Sequence, residues 1–365
     1  MRVLFEGLAL LDGPSGVKRR ILELAKRLPQ HGLECTLLLH SKGFLDPPES
    51  IPVVRRAWRG RGLARLLLPM RLRRLRSEVP FDVVVSDVLP WPTAIETIGV
   101  IHDLRHDESG SWLHRHVYRH YLLQGLRRAR RVHAVSDSTK QALHTRWSDA
   151  ERGEIRVIRN GLDRAIFHAR PSEHDSFVLR KWNLGKPFLL WVGHLEERKD
   201  PILALAIREW ELRSGIMEDR PVVFVGQGAL DMAGRIRALE KSFPGRDVAR
   251  LISGCGDEEL VALYRNAQAT LVTSHLEGFS LIPLEAMGCG CPLIVSDLPA
   301  HRELLQGSAT ILGTRDPAEW GKALLTLTSA PELSPRSAGE CVLASLSWDA
   351  AAKAFATDVR SLLSR

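Results

Sequence analysis

The sequence predicts an α/β protein built from two domains, and three observations support this. The chain has 365 residues, which exceeds one typical core and suits two domains of α/β size. Its start is predicted to be a strand at residues 2–10, which leads through a glycine-containing turn into a helix at Val17–Leu28. The same order of buried strand, turn and helix returns after Pro187 and again at residues 269–295. Alternation of this kind is typical of parallel sheets covered by helices.

The composition is that of an ordinary globular protein, with 44% hydrophobic and 26% charged residues. No uninterrupted apolar stretch approaches the roughly 20 residues needed to span a bilayer, and the start lacks the pattern of a signal peptide. The five cysteines form no CxxC pair and no spacing typical of a disulfide framework, which fits a reducing compartment. We therefore expect a cytoplasmic protein.

The positive charge leaves several anionic partners open. The net charge is +8 and the isoelectric point is near 9.5. Aromatic residues make up only 6% of the chain, and no zinc-finger, RRM or KH pattern is present, so nucleic acid is not predicted as a partner. An anionic membrane surface or a phosphorylated substrate would explain the same charge.

Short apolar runs predict further strands along the first half of the chain. They lie at Cys35–His40, Phe81–Ser86, Gly99–Ile101, Val132–Ser136 and Ile155–Ile158. Ser136 is predicted to cap the helix that follows it. Asn160 and Gly161 indicate a structural turn, after which a linker is expected from about Arg164 to Lys186.

Nine arginines, interspersed with leucines, lie between Arg55 and Arg76. The apolar residues from Leu63 to Met70 recur at helical spacing, with Pro69 as an interruption. Two interpretations stay open. The segment lies at a membrane interface, or it packs its leucines on the core of its own domain.

The most informative stretch is a strand, loop, helix and strand in succession. It predicts a strand at Ala269–Thr273, a polar loop at Ser274–Gly278, a helix at Leu281–Met287 and a strand at Leu293–Val295. Ser280 is placed to cap the helix, and Pro283 is tolerated in its first turn. In open α/β sheets ligands bind at the carboxyl ends of the strands, where this loop would lie.

This loop would suit a ligand with both an anionic and a polyhydroxyl part. Backbone amides near Phe279–Ile282 and the positive helix end favour a phosphate. The carboxylates of Glu277 and Glu285 would repel a phosphate but accept hydrogen bonds from hydroxyls. A nucleotide sugar has both parts, and Arg198 and Lys199, just before another predicted helix, could face its diphosphate. The alternative is that these four side chains are ordinary solvated charges.

The segment EGFSLIPLEAMGCGCPLIVSDLPAHRELL, from Glu277 to Leu305, resembles the signature of glycosyltransferase family four. That family consists of retaining enzymes with the GT-B fold. The resemblance implies two Rossmann-like domains whose parallel sheets face a deep cleft, with a C-terminal helix that crosses back to the first domain. The expected boundaries are an acceptor-side domain at 1–165, a donor domain at 166–345 and the helix at 346–365.

The resemblance also assigns expected roles to the residues of the stretch itself. Glu277 would contact the donor sugar and Glu285 the ribose hydroxyls. The donor sugar and its phosphate would be approached by backbone amides of Gly278, Phe279, Ser280 and Leu281. Ser280 stands where the family more often has glycine.

Three other segments extend the resemblance. In the first glycine loop, Gly16 would face the donor diphosphate, and in IHDL, His102 would reach toward the donor sugar. The segment Gly193–Lys199 resembles the family pattern G-x-L-x-x-R-K, in which Arg198 and Lys199 stabilise the leaving diphosphate. Many members have arginine at the position of His194, so a phosphate contact is not expected there.

Together these features predict a retaining hexosyltransferase that needs no metal and no cofactor. No two aspartates lie two residues apart, so the DxD metal motif of the other large glycosyltransferase fold is absent. The donor would be a GDP- or UDP-linked sugar, with GDP-mannose first because LEERKD resembles the turn of bacterial mannosyltransferases. The acceptor would be a glycan or a lipid-linked glycan in surface-polysaccharide or lipopolysaccharide biosynthesis. A peripheral position of the enzyme at the inner face of the cytoplasmic membrane stays open.

Two alternatives stay open. A sugar-nucleotide 2-epimerase shares the two-domain architecture, but it would need paired carboxylates for proton transfer. A non-catalytic protein that binds a nucleotide sugar or a polysaccharide would bind the donor and transfer nothing.

Overall fold

The computed structural model describes residues 1–7, 16–41, 47–57, 68–86, 95–104, 112–147, 153–216, 220–305, 307–329 and 336–364. The chain divides into two compact units. The first contains Met1–Gly161 together with Trp348–Arg365, and the second contains Leu162–Ser347. Each unit is built around one parallel sheet, as the sequence predicts.

The first unit has a sheet of seven parallel strands in the order β3-β2-β1-β4-β5-β6-β7. In chain order they are β1 Arg2–Gly7, β2 Glu34–His40, β3 Val53–Arg56, β4 Val83–Ser86, β5 Glu96–Ile101, β6 Arg131–Ala134 and β7 Glu154–Val157. The strand predicted at residues 2–10 ends at Gly7, and the remainder of the glycine turn, residues 8–15, lies outside the described residues.

In the described parts of this unit, four helices follow its strands. They are α1 Gly16–Arg27, α2 Leu68–Glu78, α3 Trp112–Arg128 and α4 Asp137–Arg146. The predicted cap of α4 is confirmed, because the Ser136 hydroxyl accepts a hydrogen bond from the Thr139 amide at 3.0 Å. Such a cap satisfies one of the helix-end amides that have no helical partner.

The basic segment separates into different elements. Arg55 and Arg56 belong to strand β3. Residues 58–67, which include most of the predicted amphipathic run from Leu63 to Met70, lie outside the described part. In α2 the leucines Leu72 and Leu75 are buried in the core. The structure therefore supports, for this part, packing of leucines on the domain core. The arginines on the other side of α2 are exposed, namely Arg71, Arg73, Arg74 and Arg76.

The last helix of the chain, Trp348–Leu363, is part of the first unit and packs against its sheet. Phe355 stacks on Phe5 with ring centroids 5.8 Å apart, and its ring meets the edge of His133 at 5.2 Å. Asp358 Oδ2 lies 2.8 Å from His133 Nε2 and the same carboxylate pairs with buried Arg131. Burial lowers the pKa of His133, against the opposite effect of Asp358.

The second unit has six parallel strands in the order β10-β9-β8-β11-β12-β13. They are β8 Leu189–Val192, β9 Val222–Val225, β10 Ala249–Ile252, β11 Ala269–Val272, β12 Leu293–Ser296 and β13 Thr310–Leu312. Alternate residues of β8 and β9 enter two different cores: Leu190 and Val223 face one side of the sheet, whereas Trp191 and Phe224 face the other. Burial on both faces explains why these strands are continuous apolar runs.

Helices cover both faces of this second sheet. They are α5 Glu173–Lys181, α6 Pro201–Arg213, α7 Met232–Ser242, α8 Asp257–Asn266, α9 Leu281–Gly288, α10 Pro299–Leu305, α11 Pro317–Ser329 and α12 Arg336–Ser345. The last helix of the chain, α13 Trp348–Leu363, belongs to the first unit. Of the parts of the chain that the structure describes, no helix combines the length and apolarity that crossing a membrane would require.

Helix α5 lies inside the segment that the sequence predicts as a linker, so that prediction is wrong for these residues. A capping box begins the helix: the Ser172 hydroxyl accepts from the His174 amide at 3.2 Å, and the Asp175 carboxylate accepts from the Ser172 amide at 3.3 Å. Buried Val178 and Leu184 join the core of the second unit. The spacing of Ser172 and Asp175 was the available signal.

Candidate functional site

Two connections at the carboxyl ends of neighbouring strands form the candidate site. The turn after β8 carries Arg198 and Lys199, and the loop after β11 carries Glu277. Strands β8 and β11 are paired, with Leu190 opposite Thr270, so the two connections meet at one edge of the sheet. Sequence reasoning placed both connections at strand ends, and the structure brings the three side chains together.

Glu277 is the centre of this cluster. Its Oε1 lies 2.5 Å from Lys199 Nζ and 2.7 Å from the Ser274 hydroxyl, and its Oε2 lies 3.5 Å from Arg198 Nη1. Only 5% of its side chain is exposed. Burial by itself would raise the pKa of Glu277, but the charges of Lys199 and Arg198 outweigh burial and lower it to about 2. The carboxylate is therefore ionised at any physiological pH.

The guanidinium of Arg198 donates hydrogen bonds to several acceptors. Nη1 donates to the carbonyl of Leu276 at 2.8 Å, and Nη2 donates to Glu196 at 2.6 Å. Its ion pair with Glu277 is longer than that of Lys199. Lys199 is thus the cation more closely coupled to Glu277.

The predicted cap of α9 by the Ser280 side chain is wrong. Ser280 occupies the cap position with an extended backbone, but its side chain accepts no hydrogen bond from the helix. The third helical residue is Pro283, which has no amide hydrogen, and this position normally supplies one of the two amides that a cap residue accepts from. The Ser280 hydroxyl is buried and has no hydrogen-bond partner among the described residues.

Glu285 is the fifth residue of α9, in its second turn, and is 4% exposed. The Tyr264 hydroxyl of α8 donates to its Oε2 at 3.1 Å. Burial, together with the nearby Glu285 carboxylate, raises the pKa of Tyr264 well above its ordinary value, so this hydroxyl stays a donor. Sequence reasoning did not identify Tyr264. The available signal was its place on an apolar helix face, because a buried tyrosine hydroxyl usually has a partner.

His301 is a second residue that the sequence did not indicate. It lies on α10, fully buried, and its Nδ1 lies 2.7 Å from the carbonyl of Ser296. A carbonyl only accepts, so Nδ1 carries the hydrogen. Burial lowers the pKa of His301 in spite of the neighbouring Glu277, and the imidazole is therefore neutral near pH 7.

The two remaining predicted residues belong to the first unit. Gly16 is the first residue of α1, directly after the part of the glycine turn that is not described. His102 directly follows β5 and is partly buried. The other predicted positions, Arg198, Lys199, Glu277, Gly278, Phe279, Ser280, Leu281 and Glu285, all belong to the second unit. Within the described ranges, no three histidine, cysteine, aspartate or glutamate side chains are grouped as a metal ion would require.

Two family models match the chain. The model of Glycosyltransferase Family 4 matches residues 14–165, and that of Glycosyl transferases group 1 matches residues 174–337. A D-inositol 3-phosphate glycosyltransferase of Frankia alni is 29% identical over 226 residues, which are 59% of this chain and 55% of the relative. The O-antigen chain mannosyltransferase RfbU of Salmonella typhimurium is 24% identical over 238 residues, 65% of this chain and 62% of the relative. The chain thus spans little more than half the length of these relatives.

Solved structures share the fold over nearly the whole chain. Sucrose-phosphate synthase from Thermosynechococcus elongatus has a TM-score of 0.78 at 17% identity, covering 100% of this chain and 99% of that one. Anabaena Alr3699/HepE in complex with UDP and glucose has a TM-score of 0.76 at 17% identity, covering 99% and 100%. WaaG, a glycosyltransferase involved in lipopolysaccharide biosynthesis, has 0.77 at 14% identity, covering 98% and 99%. The predicted class of two Rossmann-like domains with parallel sheets is confirmed.

Proposed function

Because the chain belongs to the glycosyltransferases of family four, a family of enzymes, we propose that it transfers a hexose from a nucleotide-diphosphate sugar. The observation that carries this proposal is the cluster of Lys199 and Arg198 around buried Glu277 at the carboxyl edge of the second sheet. Cations, an ionised carboxylate and a helix N-terminus adjoin there, which is the combination that a sugar diphosphate needs.

The cations meet the diphosphate. An ammonium has three donors, and Lys199 directs one of them to Glu277, which leaves the others for phosphate oxygens. The first amides of α9 add partial positive charge. The buried Ser280 hydroxyl at the start of this helix gains a hydrogen-bond partner when an oxygen of the donor reaches it.

The two glutamates bind hydroxyls. Glu277, with a pKa of about 2, holds no proton near pH 7, so it serves as an acceptor for sugar hydroxyls and as the anchor of Lys199. Glu285 accepts from Tyr264 through one oxygen and accepts from the ribose hydroxyls as its second function. For Gly16 and His102 we propose the donor-binding and catalytic roles that the family resemblance implies.

The transfer proceeds with retention and without a metal. As the bond between the sugar and the diphosphate breaks, negative charge grows on the leaving phosphate, and Lys199 and Arg198 neutralise it where a metal would do so in other enzymes. The departing phosphate helps to remove the proton of the acceptor hydroxyl, which attacks from the same face of the sugar. No cofactor takes part, since the nucleotide sugar is a substrate.

GDP-mannose is the first choice of donor, and a UDP-linked hexose is the second. The LEERKD turn and the similarity to an O-antigen chain mannosyltransferase support mannose. The fold shared with a protein solved with UDP and glucose supports the second choice. The acceptor is a glycan or lipid-linked glycan of surface-polysaccharide or lipopolysaccharide biosynthesis, and the exposed arginines of α2 bring the enzyme to an anionic membrane surface.

A thermal-shift screen with UDP, GDP, ADP and dTDP tests donor binding. The nucleoside diphosphate that fits should raise Tm, and the rise should grow with the logarithm of its concentration relative to Kd. Glu285→Ala should reduce that shift, whereas Glu240→Ala, which removes an exposed glutamate of α7, should retain it. Absence of a shift with all four nucleotides would contradict the proposal.

Incubation with the matching nucleotide sugar then separates transfer from the alternatives. Release of the nucleoside diphosphate with transfer of the sugar supports the proposal. Conversion of the donor to its 2-epimer without an acceptor would indicate the epimerase. Binding without any turnover, with and without glycan acceptors, would indicate a non-catalytic binding protein.

A further inference from the structure

The turn that carries Arg198 and Lys199 ends in a residue with an unfavourable backbone. Asp200 has φ of 46° and ψ of 60°, in the left-handed region that a residue with a side chain rarely adopts. Such a conformation persists only where the surroundings hold it. One contact that stabilises this conformation is local: Asp200 Oδ1 accepts a hydrogen bond from the Leu203 amide at 3.0 Å and thereby caps α6.

Arg315 holds the other oxygen of this carboxylate. It lies between β13 and α11, and its Nη2 donates to Asp200 Oδ2 and, at 2.6 Å, to the carbonyl of Thr273. Its Nη1 donates to the Ser296 hydroxyl at 2.9 Å. One guanidinium therefore ties the turn after β8 to the ends of β11 and β12, which are consecutive strands of the sheet. A planar fork can hold these directions at once, which a single ammonium cannot.

The loop after β11 and the turn after β8 are also bonded to each other. Thr273 Oγ1 lies 3.0 Å from the carbonyl of Lys199 and 2.6 Å from that of Asp200. The His275 amide donates to the carbonyl of Arg198 at 2.7 Å. Glu277 lies on this same loop, so the relative position of loop and turn sets the geometry of the pair that Lys199 makes with Glu277. Arg315 fixes that relative position from a third segment of the chain.

We infer that Arg315 is a positioning residue for the proposed transfer reaction, on which this inference rests. It acts through Asp200 and the Thr273 carbonyl, and it keeps the Lys199 ammonium where charge develops on the leaving diphosphate. A preorganised charge contributes more to the transition state than to the bound ground state. Loss of Arg315 should therefore lower turnover and leave nucleotide affinity nearly unchanged.

The test compares Arg315→Ala and Arg315→Lys with Arg302→Ala as a matched control. Arg302 is also an arginine paired with an aspartate, Asp297, but 68% of its side chain is exposed. The measurements are kcat for release of GDP from GDP-mannose, or of UDP from UDP-glucose, and the Kd of the released nucleotide by calorimetry. Water accepts the hexose in this release assay, so neither measurement requires a known glycan acceptor.

We expect Arg315→Ala to lower kcat by roughly 10- to 100-fold, the effect of a small misplacement of a catalytic group. The Kd should change by less than about threefold, because ground-state contacts persist. Added guanidinium ion at millimolar concentration should restore part of kcat, Arg315→Lys should be intermediate, and Arg302→Ala should match the wild type.

The outcomes separate this inference from the proposed function. A wild-type protein that neither binds nor releases either nucleotide would contradict the proposed function, and the inference would fall with it. An active wild type with an Arg315→Ala variant of equal kcat overturns the positioning role alone, as does an equal loss of affinity and kcat. If Arg315→Ala does not fold, Arg315→Lys decides: lower kcat at unchanged Kd supports the inference, and wild-type kcat overturns it.

Discussion

Replacing Lys199 by methionine should destabilise the second unit, because it removes the closest counter-charge of a buried carboxylate. Lys199 Nζ lies 2.5 Å from Glu277 Oε1, and the two side chains are 17% and 5% exposed. Methionine retains an unbranched chain and removes the charge. Breaking a buried ion pair from one side is costly, since the remaining charge stays buried with fewer partners.

The size of the expected loss of stability follows from the pKa of Glu277. Its fall from the ordinary value of 4.5 to about 2 corresponds to roughly 3 kcal/mol of preference for the ionised form. Among the effects that lower this pKa, the charge of Lys199 is the largest. We therefore expect Lys199→Met to lower the free energy of unfolding at pH 7 by about 2–3 kcal/mol.

The difference in unfolding free energy between the wild type and Lys199→Met should become smaller as the pH falls. Because the pKa of Glu277 is depressed in the folded state, its stabilisation is fully present above pH 4.5 and is lost as the pH falls toward 2. The gap between wild type and variant should thus be constant between pH 7 and 5, and narrower at pH 3.5. Urea unfolding followed by circular dichroism at these pH values measures the gap.

Two further variants sharpen this experiment. Lys199→Met combined with Glu277→Gln should recover much of the lost stability, since no unpaired charge is left buried. Lys322→Met removes an exposed lysine that pairs with Glu319 at 2.9 Å, and it should have no measurable effect. A loss that is the same at pH 3.5 as at pH 7, or no larger than that of Lys322→Met, would refute the reasoning.

The other predictions concern binding, turnover and the membrane. Lys199→Ala should cut turnover by roughly 10²–10³-fold while donor affinity falls less, and EDTA should leave the wild-type rate unchanged; loss of that rate in chelator would overturn the metal-free mechanism. Glu285→Ala should weaken nucleotide binding by roughly 1.5–3 kcal/mol, and calorimetry that shows unchanged affinity in a folded variant would retire its ribose role. The protein should pellet with anionic but not zwitterionic vesicles and be released by salt, and pelleting should be abolished by serine at Arg71, Arg73, Arg74 and Arg76. Equal pelleting of that variant would show that these arginines are an ordinary solvated face.

Local signals were sufficient to predict most elements of the fold. Strands that are buried on both faces appear in the sequence as apolar runs. The glycines and prolines at the ends of these runs indicate where a strand or helix ends, because they affect the backbone only within a few residues. The cap by Ser136 was predictable for the same reason. The predicted cap by Ser280 is wrong, and Pro283, three positions later, lacks one of the two amide hydrogens that a cap residue accepts. The missed helix α5 carried a readable signal, since Ser172 and Asp175 have capping-box spacing.

Residues that act across the sheet could not be predicted in this way. Arg315 meets Asp200 across 115 positions of sequence, and nothing adjacent to either residue indicates the partner. The sequence Asp200-Pro201 does predict a helix start, but the left-handed backbone of Asp200 depends on its contacts. The pairing of Tyr264 with Glu285 likewise arises only when α8 and α9 pack together.

The two glutamates of the signature have different surroundings, and this difference argues for different roles. Glu277 lies between two cations, so its charge is held and it cannot exchange a proton near neutral pH. A group of this kind can orient a lysine and accept from sugar hydroxyls beside a diphosphate, since its own charge is already compensated. Glu285 instead shares a hydrogen bond with the neutral Tyr264 hydroxyl. Its negative charge would disfavour a nearby phosphate but favours hydroxyl donors, and for this reason we propose the ribose, rather than the diphosphate, as the part of the donor that Glu285 binds.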